Sequence, residues 1–230
     1  RLHGEDSGVD RQQLTWGRAR EGDKIYYACP PSFEDSLSTY QRAIANMDCH
    51  GVDRCVVLQE FMDGGQDPYL AEVRKAEPKR FSCTALFDKP YYDDPMGCFK
   101  EAIEVKKLQG FLVKTPSPFV EIATTKLKPM WQACAERGLP VVLKNGAPAE
   151  IRRLLAMAPG IKVVLSHFAG SGGPRDEFEE RVRIVQEHER VYIDAGAITY
   201  QHRYPAPKAQ EALQYAVERV GAGRIAWGSD

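Results

Sequence analysis

Polar side chains stand at the ends of several short apolar segments of this 230-residue chain. The residues that close these segments are Gln59 or Glu60, Asp88, Lys114, Lys144, His167, Asp194 and Asp230. A histidine can act as a base or a ligand, a lysine can face a developing negative charge, and an aspartate can accept a proton from water. One such residue is only a solvated strand end, but several around one rim indicate a catalytic site.

The apolar segments have the length and composition of buried parallel strands. They span 54–60, 80–88, 110–114, 139–144, 161–167, 190–194 and 224–230. Between them lie longer segments with apolar residues every three or four positions, which predict helices. These span 33–50, 68–76, 95–108, 128–137, 148–158, 175–188 and 206–220. Pro95 and Pro129 suit first helical turns, and Gly51, Gly138 and Gly221 suit left-handed helix ends.

Strands that alternate with helices predict an α/β fold with right-handed crossovers. A closed eight-stranded barrel competes with an open doubly wound sheet. No GxGxxG follows the first strand, and a repeat of about 28 residues fits a barrel of about 250 residues. We therefore predict a (β/α)8 TIM barrel with one strand poorly formed or missing at the amino end and with no helix after the last strand. We expect one domain over 1–230, with a long loop region over 1–32 and βα repeats over 33–230; a strand over 24–29 is the alternative for strand one.

Composition restricts the partners of this chain. Lys plus Arg is 31 and Asp plus Glu is 32, so the net charge of -1 gives no reason to expect nucleic acid or an anionic membrane. No apolar run approaches the roughly 18 residues of a membrane span. The 6 cysteines form no CxxC pair, which we interpret as reduced, buried thiols of a cytoplasmic protein. The expected partner is a small anionic molecule, and a homo-oligomer stays open.

Five phrases in order resemble successive signatures of the amidohydrolase superfamily. They are GVDRCVVLQ, ERGLPVVLKNG, GIKVVLSHFAG, RVYIDAGA and GAGRIAWGSD. The resemblance covers about residues 33–230 and is nearest to the branch that holds aminocarboxymuconate semialdehyde decarboxylase and pyrone dicarboxylate lactonase. It implies a distorted (β/α)8 barrel and a hydrolase or decarboxylase that acts on a small carboxylated compound.

The resemblance also implies metal ligands that this chain matches only in part. Members usually bind a divalent metal through a His-x-His after strand one, a His ending strand five and an Asp ending strand eight; a His on strand six binds metal or substrate. His167 and Asp230 match the last two positions, but Lys144 replaces the strand-five His and no His-x-His occurs. An ammonium repels a cation, and a catalytic zinc needs about three protein ligands. We therefore expect no metal cofactor, with zinc on His167 and Asp230 as the alternative.

These residues together predict a hydrolase of a small carboxylated lactone, ester or amide, metal-independent or with an atypical metal. Asp230 would be the general base, His167 would orient or polarise the substrate, and Lys144 would stabilise the oxyanion. The residues expected to hold the substrate are Lys114, Arg175, His202 and Arg203. The alternatives are a decarboxylase or Schiff-base lyase of the same family, and a catalytically dead relative that only binds a ligand.

Overall fold

The computed structural model describes residues 11–16, 18–27, 39–59, 65–114, 121–144, 146–198 and 207–228. The chain divides into two compact units: Arg1–Leu86 with Ala102–Gln109, and Phe87–Glu101 with Gly110–Asp230. The single domain over 1–230 stays a prediction. Three of the predicted site residues lie outside the described residues: Asp230, His202 and Arg203.

A three-stranded antiparallel sheet occupies the start of the first unit. Its strands, in order, are β1 (Arg11–Gln13), β2 (Arg18–Glu21) and β3 (Lys24–Tyr27). Glu21 pairs with Lys24, so two residues make the turn between β2 and β3, and the first of them, Gly22, has a φ of 56°. Glycine adopts this conformation without steric cost, and Gly-Asp is a hairpin signal. The expected long loop over 1–32 is therefore wrong where the chain is described, and β3 is antiparallel rather than a first parallel strand.

A strand–helix–strand segment, preceded by a helix, follows in the first unit. Helix α1 (Tyr40–Cys49) precedes β4 (Cys55–Val57), and helix α2 (Asp67–Ala76) connects β4 to its parallel neighbour β5 (Phe81–Cys83). Gly51, just beyond α1, has a φ of 67°, which confirms the predicted left-handed helix end.

The apolar segment predicted as one strand over 80–88 forms two strands, and the prediction is wrong there. β5 ends at Cys83, and β6 (Ala85–Phe87) begins after Thr84. The backbone N–H and the hydroxyl of Thr84 both donate to the carbonyl oxygen of Val57, each at 3.1 Å. β5 pairs with β4, whereas β6 belongs to a separate six-stranded sheet, so the break at Thr84 is the point at which the partner strand changes. The apolar composition gives no sign of the break, because the segment is apolar on both sides of it.

The main sheet has six strands in the order β11-β10-β9-β8-β7-β6, and the pairs from β7 to β11 are parallel. The strands of this series are β7 (Phe111–Lys114), β8 (Pro140–Lys144), β9 (Lys162–Leu165), β10 (Val191–Asp194) and β11 (Ile225–Ala226). Strands that follow one another in the chain are therefore neighbours in the sheet, as the βα repeat predicts.

Helices connect these strands. They are α3 (Lys89–Asp93), α4 (Pro95–Lys100), α5 (Lys128–Arg137), α6 (Pro148–Met157), α7 (Ser166–Gly170), α8 (Arg175–Glu187) and α9 (Pro207–Val220). The predicted bounds of α5 are confirmed. The helix predicted over 95–108 is wrong at its end: a π-helical turn, Glu101–Val105, follows α4, and Lys107 has a φ of 60°. Within the described ranges no helix is long and apolar enough to cross a membrane.

The core of the second unit is built from aromatic and branched side chains. Trp131, Phe111 and Phe178 are fully buried, and the Phe168 and Phe178 rings stack with centroids 6.0 Å apart. Phe178 lies on α8, whereas Phe168 lies in α7, directly after β9. Burial of side chains of this size contributes about 1.5–3 kcal/mol each. The turn after β9 is thus anchored to the helical layer by packing.

The described cysteines are free thiols, and two of them are fully buried. Burial raises the pKa of Cys83 to about 11 and that of Cys134 to about 12. Both groups therefore remain protonated at neutral pH and are poor nucleophiles. The interpretation as buried reduced thiols is confirmed for these two, whereas Cys49 is exposed.

Candidate active site

The carboxyl ends of β7 to β11 lie level with one another. Lys114 pairs with Lys144, and Asp194 pairs with Ala226. Between them, Leu165 pairs with Leu143 on one side and with Ile193 on the other, which brings Ser166 level with Lys144 and Asp194. Neighbouring strands lie about 4.8 Å apart. The strand ends therefore form one continuous rim, which places charged and polar residues side by side.

Lys114 and Lys144 are adjacent members of this rim. Both side chains are partly exposed, and both residues are the last of their strands. Like charges on directly paired residues repel each other. An anionic group placed at this pair would reduce that repulsion. The pair therefore has the charge required to bind a carboxylate or to stabilise an oxyanion.

His167 lies in a strained turn at the same rim. β9 ends at Leu165, so the strand predicted over 161–167 is wrong in its last two residues. Three consecutive residues of α7, His167, Phe168 and Ala169, have φ angles of 55°, 51° and 52°. Left-handed backbone costs a non-glycine residue about 1–2 kcal/mol and persists only where the surroundings impose it. The sequence VVLSHF continues an apolar strand pattern, so its residue types do not indicate this turn.

Asp194 connects His167 to the next strand. Its Oδ1 accepts a hydrogen bond from the backbone N–H of His167 at 3.2 Å and from that of Gly196 at 2.9 Å. A Cβ added to Gly228 would lie 3.1 Å from the nitrogen of Gly196 and 3.7 Å from Asp194 Oδ1. The loop after β11 thus approaches Asp194 closely. Asp194 ends its strand in the sequence, but its role became visible only through these partners.

Arg181 of α8 is a buried residue of this region that the sequence analysis did not identify. Only 7% of it is exposed. Its Nε donates to the carbonyl oxygen of Gly146 at 2.7 Å, and its Nη1 donates to that of Ala169 at 3.4 Å. Its Nη2 donates to Glu177 at 2.7 Å, as in an ordinary i,i+4 ion pair. An arginine at a helical, mostly polar position predicts a solvated surface, so sequence alone gave no signal.

The chain after β7 is held at Ile122. Its N–H donates to the carboxylate of Glu150 at 2.8 Å, and its carbonyl oxygen accepts from the Trp131 indole N–H at 2.7 Å. Glu150 is buried, and its carboxylate lies at the start of α6. These contacts fix the position at which the chain enters α5 after the strand that ends in Lys114.

Gln59 follows β4 in the first unit and has a different environment. Its Nε2 donates to Asp67 Oδ1 at 2.6 Å and to the carbonyl oxygen of Thr84 at 2.7 Å, while its Oε1 accepts from the N–H of Gln66 at 2.7 Å. The side chain is 5% exposed. Both amide hydrogens are used within the protein. Gln59 is therefore a structural residue of the first unit.

Arg175 is the first residue of α8 and is largely exposed. Its guanidinium pairs with Glu179 at 2.6 Å and lies 4.6 Å from the centroid of the Tyr215 ring. The predicted substrate contact of Arg175 stays a prediction. His50 and His188 are the residues that directly follow α1 and α8.

The described residues do not fit a divalent metal. Among them no group of three His, Cys, Asp or Glu side chains is arranged to hold an ion. Lys144 occupies a rim position next to Lys114, and an ammonium group cannot donate a lone pair to a metal.

A parallel sheet with helical connections and charged side chains at the carboxyl ends of its strands is typical of βα-barrel enzymes. A sequence profile described as amidohydrolase matches residues 24–230, and the chain belongs to this family. The predicted (β/α)8 TIM-barrel class is confirmed by this membership and by similar solved structures. The family contains hydrolases and decarboxylases, which agrees with the predicted hydrolase and its decarboxylase alternative at the level of the family.

Similar solved structures support the fold. A putative 2-pyrone-4,6-dicarboxylic acid hydrolase from Pseudomonas putida has 19% identity and a TM-score of 0.69, over 87% of this chain and 74% of that one. A probable enzyme of the same description from Acinetobacter baumannii, with citric acid bound, has 17% identity and a TM-score of 0.69, over 89% and 76%. The 2,6-dihydroxybenzoate decarboxylase from Rhizobium has 15% identity and a TM-score of 0.64, over 84% and 78%. No curated protein matches the chain.

Proposed function

We propose that this protein hydrolyses a small carboxylated lactone, ester or amide without the divalent metal usual in its family. The observation that carries the proposal is the direct pairing of Lys114 with Lys144 at the carboxyl ends of β7 and β8. Two ammonium groups at one rim favour an anionic substrate. The similar proteins named above act on ring compounds that bear carboxylates, which supports the same substrate class here.

Three residues have proposed catalytic roles. Lys144 faces the oxyanion that forms when water attacks the carbonyl, and it replaces the positive charge of a metal. His167 orients or polarises that carbonyl from its turn after β9. Asp230 accepts the proton of the attacking water, which makes it the general base.

The remaining positive charges hold the carboxylate of the substrate. Lys114 is the residue of this group that lies beside Lys144 in the sheet. The other proposed substrate contacts are Arg175, His202 and Arg203. Arginine can hold a carboxylate through two parallel hydrogen bonds, whereas lysine acts as a point charge. The substrate should therefore carry at least one carboxylate besides the group that is hydrolysed.

The proposed partner is this small anionic molecule alone. The net charge of -1 supports the absence of a nucleic-acid partner. A cytoplasmic location is part of the proposal, because the described cysteines are free thiols, as is usual in a reducing compartment. Association of identical chains would be measured by sedimentation.

Charge selectivity tests the proposed function. We expect the protein to hydrolyse 2-pyrone-4,6-dicarboxylate and to leave the uncharged parent pyrone essentially unreacted. Lys144→Met should lower kcat by roughly 10²–10³-fold, as loss of one oxyanion-stabilising group does. Lys114→Met should act mainly on KM, because it removes ground-state binding of a carboxylate.

Lys162→Met is the matched control for both variants. Lys162 is the first residue of β9 and pairs with Pro140, so it lies at the amino edge of the same sheet. It should keep the wild-type kcat and KM. Equal hydrolysis of the charged and uncharged pyrones, or a wild-type rate in Lys144→Met, would contradict the proposal.

Metal independence is tested separately. The purified protein is dialysed against a chelator, its metal content is measured by elemental analysis, and its kcat is determined before and after. We expect unchanged activity in protein that contains less than a tenth of a metal ion per chain. Loss of activity that zinc or manganese restores would show that the metal is required.

A lyase is the second candidate, and the adjacency of Lys114 and Lys144 favours it. Amines of this kind form Schiff bases with keto acids. Borohydride in the presence of a keto acid would then attach the substrate to one lysine, and mass spectrometry would locate it. Release of carbon dioxide from a dihydroxybenzoate would identify a decarboxylase instead. A binding protein without catalysis would bind the dicarboxylate and show neither reaction.

A further inference from the structure

Arg181 is buried although its charge makes burial costly. Arginine is rarely buried unless it is paired. Among the described residues its carboxylate partner is Glu177, whose side chain is 46% exposed. The other two partners, Gly146 and Ala169, offer only backbone carbonyl oxygens. An ion pair on the helix surface would need neither the burial nor these two contacts. The buried guanidinium therefore acts chiefly on the backbone of Gly146 and Ala169.

Each of these two carbonyl groups lies two residues after a rim residue in the chain. Gly146 is two residues beyond Lys144, and Ala169 is two residues beyond His167. One guanidinium thus contacts the segments that follow both β8 and β9. Because the guanidinium is planar and rigid, it holds its partners in a defined mutual arrangement.

Gly170 shows that the guanidinium fits closely against the turn. Its φ is 71°, and an added Cβ would lie 3.1 Å from Arg181 Nη1 and 3.5 Å from Cζ. The strained residues 167–169 are therefore bounded on one side by Arg181 and on the other by Asp194, which accepts from the N–H of His167. The two attachments together restrain the left-handed turn at both of its ends.

We propose that Arg181 is a positioning residue, which holds Lys144 and His167 in the mutual arrangement that the hydrolysis requires. The inference rests on the proposed function for its catalytic consequence. Its structural part, the restraint of the 167–169 turn, is independent of the substrate. Arg181 itself does not contact the reacting atoms in this proposal.

Arg181→Met tests the proposal, with Arg183→Met as the matched control. Arg183 is on the same helix, is 60% exposed, and pairs with Glu180. The first measurement is hydrogen exchange of the peptide over 166–173. In this peptide the amides of His167, Ser171 and Gly173 donate to Asp194, Phe168 and Gly170. We expect exchange at least tenfold faster in Arg181→Met and unchanged in Arg183→Met.

The second measurement is the kinetics with 2-pyrone-4,6-dicarboxylate. Displacement of a catalytic group by about 1 Å can cost about 10²-fold, so we expect kcat to fall by that order with KM changed less than threefold. Arg181→Lys should recover part of the loss, because it can donate to one carbonyl group but not to both in a fixed plane. Arg183→Met should keep wild-type kinetics.

The outcomes separate this inference from the proposed function. If the wild-type protein does not hydrolyse the dicarboxylate, hydrogen exchange alone decides whether Arg181 restrains the turn. Hydrogen exchange over 166–173 at the wild-type rate in folded Arg181→Met overturns the inference. The inference is also overturned if exchange becomes faster throughout the protein, including at the Ala195 amide, which donates to Ala226. If Arg181→Met does not fold, Arg181→Lys replaces it, and wild-type exchange and kcat in that variant overturn the inference.

Discussion

Gln59 in the first unit and Asp194 in the second both follow or end a parallel strand, yet they serve different purposes. Gln59 is a neutral amide. Its hydrogen bonds join the end of β4 to Gln66 and Asp67 at the start of α2 and to Thr84 after β5. Asp194 is a carboxylate whose Oδ1 receives two backbone N–H groups, one of them from His167. The first residue stabilises a fold, whereas the second holds a candidate catalytic residue in a strained conformation.

This difference shows why a polar residue at a strand end does not identify an active site by itself. The side-chain amide of Gln59 makes its hydrogen bonds to other residues of the first unit. The second unit instead has cations on the adjacent strands β7 and β8, and left-handed backbone directly after the next strand, β9. Paired cations on neighbouring strands and stored backbone strain, rather than polarity alone, distinguish the candidate site.

Among the tests of this comparison between the two units, the largest expected effect concerns Asp194. Asp194→Ala removes the acceptor of the His167 and Gly196 amides, so we expect kcat for the dicarboxylate to fall 10–100-fold and the free energy of unfolding to fall by about 1–3 kcal/mol. Asp194→Asn keeps an oxygen acceptor and should lose less than tenfold in kcat. Wild-type kcat in folded Asp194→Ala would remove the distinction between the two units.

Gln59→Met should show the opposite pattern. The free energy of unfolding should fall by about 2–3 kcal/mol, because buried polar partners are left unsatisfied, while kcat stays within twofold of wild type. Denaturant titration and steady-state kinetics measure the two effects. Gln214→Met is the control, since exposed Gln214 only pairs with Glu218 on the surface of α9; it should change stability by less than about 0.5 kcal/mol. A large loss of kcat in Gln59→Met would show that the first unit also serves catalysis.

Gly228→Ala should have a smaller effect on the second unit. The added Cβ would stand 3.1 Å from the nitrogen and 3.3 Å from the Cα of Gly196, so that loop must move by a few tenths of an ångström. We expect a loss of three- to tenfold in kcat, about 1 kcal/mol in transition-state stabilisation. Gly223→Ala is the control, because an added Cβ there meets no atom within 4 Å. Equal kinetics in the two variants would show that the Asp194 contacts tolerate displacement.

The last expected effect, which is absent at neutral pH, concerns the buried thiols, one in each unit. The folded pKa of Cys83 is about 11 and that of Cys134 about 12, both raised by burial from 9.0. The folded state therefore retains protons that the unfolded state loses, and stability falls as pH rises above about 9, by at most about 1.4 kcal/mol per pH unit for each thiol.

Substitution of each thiol separates the two contributions. Cys83→Val should remove the contribution of Cys83 to the fall in unfolding free energy between pH 9 and about 11. Cys134→Val should remove the contribution of Cys134 between pH 9 and about 12. Unfolding free energies measured across this range provide the test, with Cys49→Val, at an exposed thiol, as the control that keeps the wild-type slope. Unchanged slopes in both buried variants would contradict the burial argument.

Local sequence patterns predicted many of the regular elements. The bounds of α5 agree with its periodicity, and Gly138 adopts the left-handed conformation that its place after the helix predicts, with a φ of 64°. Residues near one another in the chain specify these features. The Gly22-Asp23 hairpin has a local signal too, but the polar residues around it favour a loop.

The sequence by itself determined the family, the alternation of strands and helices, and the presence of Lys114, Lys144 and His167 at strand ends. Only the tertiary structure decided which of these strand ends are level, that Thr84 divides a strand, and that residues 167–169 are left-handed. The physical reason is that these features depend on hydrogen bonds between distant segments: Thr84 to Val57, His167 to Asp194, and Arg181 to Gly146 and Ala169. Periodicity and local propensity do not predict such distant hydrogen-bond partners.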